Sequence, residues 1–234
     1  MVDISVLLLL AVPHKWFWHY SDDYCPPKLI ILALRVFCAR LIITSGWSKL
    51  ASGDLWWREL RALDVHYFTQ PLPHQLSWFF HQLPVLFQRL SVAVMLMVEC
   101  LVPIGIFFTQ RFRYGAGLLI IGLMTLIMLS GNFCFFNLLT IVLSAYVFDD
   151  LILKKWQHNL TNVKSKQTHW LAPSLAICLM FVTCTDDILR FIAPKYHQLL
   201  RKTTYKQTGF RLINNYGLFA TMTTTRNEIE IWGS

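Results

Sequence analysis

Charge is what this sequence has least of. Only 15% of its 234 residues are Asp, Glu, Lys or Arg, while 55% are hydrophobic; an ordinary soluble domain carries about 25% charge. Polar surface on this scale cannot cover a water-soluble fold of the same size, and that class is excluded. Paired cysteine spacing is missing too. Cys25, Cys38, Cys100, Cys134, Cys178 and Cys184 form no Cys-x-x-Cys and mostly fall in apolar segments, so they read as buried free thiols rather than a disulfide framework. No phosphate-binding glycine loop, GxSxG nucleophile elbow, HExxH or nucleic-acid motif occurs. No catalytic residue, cofactor or metal is therefore assigned, and the chain reads as a non-enzyme. The start lacks a secretory leader's features: Asp3 stands where a basic region is expected and no small-x-small site follows. The apolar run Ile4 to Val12, about nine residues, falls short of the roughly twenty that a bilayer requires. It reads as the end of a helix or as an interfacial segment.

What is present is basic charge and long apolar runs. Lys and Arg number 21 against 13 Asp and Glu, a formal net charge of +8, with mean hydropathy +0.46. The bases flank apolar spans, a pattern of membrane orientation rather than of a nucleic-acid partner. From Tyr114 to Phe148 there is no Asp, Glu, Lys or Arg, and the one cluster of turn formers is Ser130, Gly131 and Asn132. This predicts a transmembrane hairpin whose arms, about 25 Å each at 1.5 Å per residue, place the turn near one membrane face. Polar backbone at that depth must be covered by protein. Leu83 to Thr109, with Arg89 and Glu99, and Lys28 to Gly46, with Arg35 and Arg40, are further spans whose ionisable groups should face protein. Trp170 to Ile192 is the last, with Pro173 tolerated in its first turn and Asp186, Asp187 and Arg190 at its far end.

The expected fold is thus an all-α polytopic transmembrane bundle of about five spans over residues 28–194, after a short apolar N-terminal segment and loop (1–27). A non-cytoplasmic tail, 195–234, follows. Lys15, Lys28, Arg111, Arg113, Lys154, Lys155, Lys164 and Lys166 collect on one side, which the positive-inside rule makes cytoplasmic. The basic tail beyond Pro194 runs against this, but long segments count less. The opposite side holds the Trp47 to Gln82 segment, the Ser-Gly-Asn turn and the tail. The sequon Asn159-Leu160-Thr161 then lies in the cytoplasm, unmodified; a glycan on Asn159 in a microsomal translation assay would overturn this orientation. Within 54–82, too polar to cross, Trp56, Trp57, Tyr67, Phe68, Trp78, Phe79 and Phe80 predict interfacial helices, redirected by Gln70-Pro71-Leu72-Pro73. Alternation from Thr221 to Ile231 predicts a short strand that needs partners.

Three constellations invite chemistry. Asp64-x-His66 reads either as an acid and base in proton transfer or as a polar, hydrogen-bonded corner anchoring the interfacial segment, and the second is preferred. His66, His74 and His81 lack any metal-ligand spacing beyond a shared helical face for the last two, and no metal is assigned. Glu99 and Arg35, at comparable depth if Gly46 and Pro84 share a level, are expected to form an intramembrane ion pair.

Three stretches carry a resemblance. The first is Gly46-Trp47-Ser48-Lys49-Leu50-Ala51-Ser52-Gly53-Asp54, through Trp57-Arg58-Glu59-Leu60 and Ala62-Leu63-Asp64-Val65-His66-Tyr67, to Thr69-Gln70-Pro71-Leu72-Pro73. The second is Leu129-Ser130-Gly131-Asn132 with Phe135-Phe136-Asn137-Leu138-Leu139-Thr140-Ile141, closed by Asp149-Asp150. The third is Asn215-Tyr216-Gly217-Leu218-Phe219, then Met222-Thr223-Thr224 and Arg226-Asn227-Glu228-Ile229, ending at Gly233-Ser234. Together they resemble the lipase maturation factor family from about Arg35 onward. Phe68, Cys134 and Trp232 depart from it, standing where Glu, Asn and an acid are usual. The resemblance implies a multi-span membrane protein that assists folding and assembly of secreted lipases. It would sit in the endoplasmic reticulum membrane if eukaryotic or the inner membrane if bacterial, with a bilayer and a secreted lipase as partners. It also implies that a strand-rich lumenal domain begins near Ser234 and that leading spans precede Met1. The functional face implied comprises Gly53, Asp54, Trp57, Arg58, Asp64, His66, Tyr67, Gln70, Pro71, Gly131, Asn132 and Asn137. An alternative reading keeps Asp64 and His66 as acid and base of a membrane enzyme acting on a lipid or protein substrate.

Overall fold

Long apolar stretches fold here as helical segments of membrane length. The structure, a computed structural model, describes residues 28–131, 135–148, 171–193, 195–198 and 216–226. Among the described residues, three helical segments are long and apolar enough to cross a bilayer: α1 (Lys28–Ala51), the Val85–Phe107 segment, and α6 (Gln110–Ser130). The second of these is α5 (Val85–Cys100) continued by a 3-10 segment (Val102–Phe107), in which Pro103 removes an amide donor and tightens the turn. Three short helices lie between α1 and α5: α2 (Leu55–Arg58), α3 (Ala62–Thr69) and α4 (Gln75–His81). In the region of the expected hairpin, α6 is followed by the ten-residue α7 (Phe136–Ala145), with residues 132–134 outside the described ones, and in the region of the expected last span lies the 22-residue α8 (Leu171–Ile192). The described residues are all-α, as the sequence predicts. The four described cysteines are free thiols. The segment 1–27, the loop carrying Asn159, and Asp149-Asp150 lie outside the described residues.

The chain divides into two compact units. The first takes residues up to Leu41 and from Ala145 to Tyr216. Its core is the first two-thirds of α1, where Ile30, Leu34 and Phe37 are fully buried, with Val147 and Ala176. Arg40 and Asp187 are both buried and form an ion pair. The Arg40 guanidinium lies over the rings of Phe37 and Tyr216, at 5.2 and 5.6 Å, and those rings meet edge to face. Arg35 Nε donates to the Tyr146 carbonyl at 2.9 Å. The polar end of α8 is thus folded inward, as buried ionisable groups in a membrane segment require.

The second unit comprises residues 42–144 and 217–234. Here α3 packs on α4 and α5, α4 on α6, and α5 on α6. Trp57, Ala62, Val92 and Leu96 form a buried cluster, joined by Trp56, Leu60, Leu63, Met95 and Met222. The 54–82 segment is therefore helical, with one face packed on α5. The other face keeps Leu55, Leu72, Trp78 and Phe79 exposed.

Two expectations need correction. Arg89 faces outward. It lies only five residues beyond Pro84, about 7 Å along the axis, and its long side chain can reach the membrane surface. In the tail, residues 221–226 form no strand; the Met222 amide goes to a carboxylate rather than a ladder partner, and 227–231 lie outside the described residues.

Candidate functional site

The site begins where α1 ends. A Cβ added to Gly46 would lie 2.7 Å from Cys100 Sγ and 2.8 Å from Glu99 Cβ, so the absent side chain is what lets the last turns of α1 and α5 touch. That approach places Lys49, one turn on, 2.5 Å from the Glu99 carboxylate. Lys49 Nζ also reaches Ser45 Oγ at 3.1 Å and lies 5.6 Å from the centre of the Trp57 ring. Both charged side chains are buried, at 6% and 4% exposure. The expected Arg35–Glu99 pair is therefore wrong. Its depth estimate assumed that α1 and α5 share a level at Gly46 and Pro84, whereas their C-terminal turns meet. Arg35 lies 14 residues before Lys49 on the same helix, about 21 Å along the axis.

Beyond Ala51 the chain turns at Gly53, whose φ of +75° is a conformation that glycine adopts at low cost. Asp54 then caps α2, accepting from the Trp56 amide at 2.8 Å. Its second oxygen accepts from the Met222 amide at 2.6 Å. Trp57, buried to 4% exposure, donates its indole N–H to the Phe219 carbonyl at 2.9 Å. Gly217 crosses α1 so closely that a Cβ there would lie 2.8 Å from Ser48 Oγ. The Phe219 ring meets His66 edge to face at 5.3 Å, on a backbone with φ +57°. Residues 217–222 thus lie as a strap across a cradle of Ser48, Asp54, Trp57 and His66. The cradle binds both backbone and side chains of the strap.

The Ser-Gly-Asn turn is tied to the same segment. The Ser130 carbonyl accepts from Ser77 Oγ at 2.7 Å and from Gln70 Nε2 at 3.2 Å, and Gln70 also donates to Ser77 Oγ. Gln70 and Gly131 are buried, as is Asn137 in the first turn of α7; Asn132 lies outside the described residues. The Ser130 carbonyl is thus covered by protein side chains, as a polar backbone group within a membrane requires. Parts of all three stretches, residues 46–73, 129–131 and 217–222, therefore lie in one unit.

Asp64 and His66 do not meet. Residues two apart on a helix face different sides, and Asp64 accepts from Arg61 Nε at 2.9 Å while His66 packs on Tyr67 and Phe219. Burial, with the nearby Lys49 charge, lowers the His66 pKa from 6.5 to about 4, so the ring is neutral at neutral pH. Burial pushes the Tyr67 hydroxyl up to about 12, and its ring stacks on Phe80. The three histidines take separate tasks: His74 Nδ1 caps α4 by accepting from the Leu76 amide, and His81 meets the exposed ring of Phe68. Among the described residues no three His, Cys, Asp or Glu side chains converge on a metal position. Arg58 and Pro71 are exposed and lie outside the cradle's contacts. Sequence reasoning passed over Lys49, Ser48, Ser77 and Phe219. All four sit in or beside the motif stretches, but their partners lie far away in sequence and only the fold reveals them.

Residues 1–155 match the family model described as the lipase maturation factor transmembrane domain. The chain is 28% identical over 224 residues to Lipase maturation factor 1 of Mus musculus, covering 88% of this chain and 39% of that protein. It is 36% identical over 158 residues to Lipase maturation factor 2 of Gallus gallus, covering 67% and 22%. It is 43% identical over 152 residues to Lipase maturation factor 2 of Xenopus tropicalis, covering 64% and 22%. The chain thus spans between 22% and 39% of the length of these relatives. No solved structure matches it. With well over half its residues inside the family's transmembrane domain and three helices of membrane length, this integral membrane protein belongs to the lipase maturation factor family.

Proposed function

We propose that the chain serves in the folding and assembly of secreted lipases, with the strap-and-cradle face on the non-cytoplasmic side where such a client folds. The observation that carries this is the convergence of the three family stretches. Segments separated by more than 150 residues join through Asp54–Met222 and Trp57–Phe219. The role is one of holding rather than turnover, because the one acid and base pair suggested by sequence points in two directions. The endoplasmic reticulum membrane in a eukaryote, or the inner membrane in a bacterium, is where this face meets a secreted client.

The test is expression of the full chain in cells that secrete a dimeric lipase only as inactive protein for want of a maturation factor. The expected result is a gain in active enzyme per secreted antigen, reduced by Asp54→Ala at equal membrane level. No gain with the chain present in the membrane would overturn the proposal.

A further inference from the structure

Beyond the C-terminal end of α5, the 3-10 segment packs along the first turns of α6, and a groove of about 660 Å³ opens between them. Its floor exists because side chains are missing. A Cβ on Gly105 would sit 3.3 Å from Ala116 Cβ, and one on Gly115 would point into open space with nothing within 4 Å. Leu101, Phe108, Phe112 and Leu119 wall it, all of them highly exposed. The one ionisable side chain that lines it is Arg111, exposed and without an ion pair among the described residues. Acids are absent from the sequence between Leu101 and Phe148. Arg113, two residues on, adds a second positive charge, its guanidinium 5.6 Å from the centre of the Tyr114 ring.

We propose that this groove is a binding site for one anionic glycerophospholipid, its acyl chain on the Gly105–Gly115 floor and its headgroup phosphate on Arg111. An apolar slot ending at an exposed guanidinium is complementary to a molecule with a hydrocarbon body and an anionic head. Arg111 stands with the bases that the positive-inside rule places at the cytoplasmic leaflet, where anionic lipids are enriched. A bulk-like annular lipid needs only the apolar wall. A bound one needs wall and charge together, which is what the experiment separates.

The full chain is purified into nanodiscs holding equal phosphatidylglycerol and phosphatidylcholine, released, and its retained lipid counted by native mass spectrometry. The wild type should keep one phosphatidylglycerol in preference to phosphatidylcholine. Arg111→Ala should lower that preference about fivefold, the worth of one basic residue near a membrane surface, and Arg111→Lys should keep most of it. Gly115→Leu, which fills the slot without meeting any neighbour, should abolish retention of either lipid. Unchanged retention in Arg111→Ala or in Gly115→Leu would overturn the site, as would a wild type with no preference. Arg111 is exposed and the Gly115 Cβ position is open, so both variants should keep the wild-type elution profile and helix content.

Discussion

Replacing Glu99 by leucine removes the carboxylate 2.5 Å from Lys49 Nζ and leaves an ammonium at 6% exposure with Ser45 Oγ and the Trp57 ring beside it. Breaking a buried pair from one side costs about 3–5 kcal/mol, because the remaining charge loses its compensation without regaining water. Removing both charges with apolar groups of similar volume is close to neutral. Glu99→Leu should therefore lower stability by most of that range, and Lys49→Met with Glu99→Leu should recover the larger part. The assay is a denaturation titration in mixed micelles, followed by helical circular dichroism on the wild type, both single variants and the double. The same cycle run with Arg35→Leu serves as a control: Arg35 lies about 21 Å from Lys49 along α1, and its substitution should add to Glu99→Leu without rescue. A double Lys49–Glu99 variant no more stable than Glu99→Leu alone would refute the pairing. Rescue by Arg35→Leu would refute the level at which α1 and α5 meet.

Other contacts of the strap make separate predictions. Gly217→Ala drives a methyl to within 2.8 Å of Ser48 Oγ and 2.9 Å of its Cβ; overpacking of this kind costs about 1–3 kcal/mol, and Ser48→Gly in the same chain should restore the midpoint of thermal aggregation. Asp54→Ala removes the cap of α2 and the acceptor for the Met222 amide, together about 2 kcal/mol, and limited proteolysis should then cut between 217 and 226 sooner. His66 binds a proton in the unfolded chain at 6.5 but in the fold only near 4. As pH falls, the unfolded state therefore gains its proton first: stability should be flat above about 7.5 and drop by about 2 kcal/mol between pH 7.5 and 5, a slope that His66→Gln should reduce in equilibrium denaturation.

The architecture was legible because the bilayer leaves so few ways to satisfy a backbone. A run free of charge from Tyr114 to Phe148, interrupted once by Ser-Gly-Asn, holds two helices, α6 and α7. The aromatic 54–82 segment gave itself away as short helices by its prolines and its amphipathic composition. What could not be read was the level at which helices cross. Composition gives each span a length but no offset, and the Arg35–Glu99 expectation failed on that offset alone. One residue sets it: the missing side chain of Gly46, which brings Glu99 to Lys49.

The strap was illegible for a different reason. From Thr221 the alternation of polar and apolar residues is that of a strand, and locally nothing contradicts it. Tertiary demand overrides the pattern, because the Met222 amide meets the free oxygen of a capping aspartate and the Phe219 carbonyl meets an indole N–H, each a partner that a ladder would otherwise supply. Phe219 holds φ +57°, outside the strand region, and so cannot continue a strand back toward Gly217. Asp54, Trp57 and Gly217 entered the sequence pattern as an aspartate, a tryptophan and a glycine in separate stretches. In the fold each is one side of a contact whose other side lies across the chain, so a change at Gly217 and a change at Ser48 should be felt at the same place.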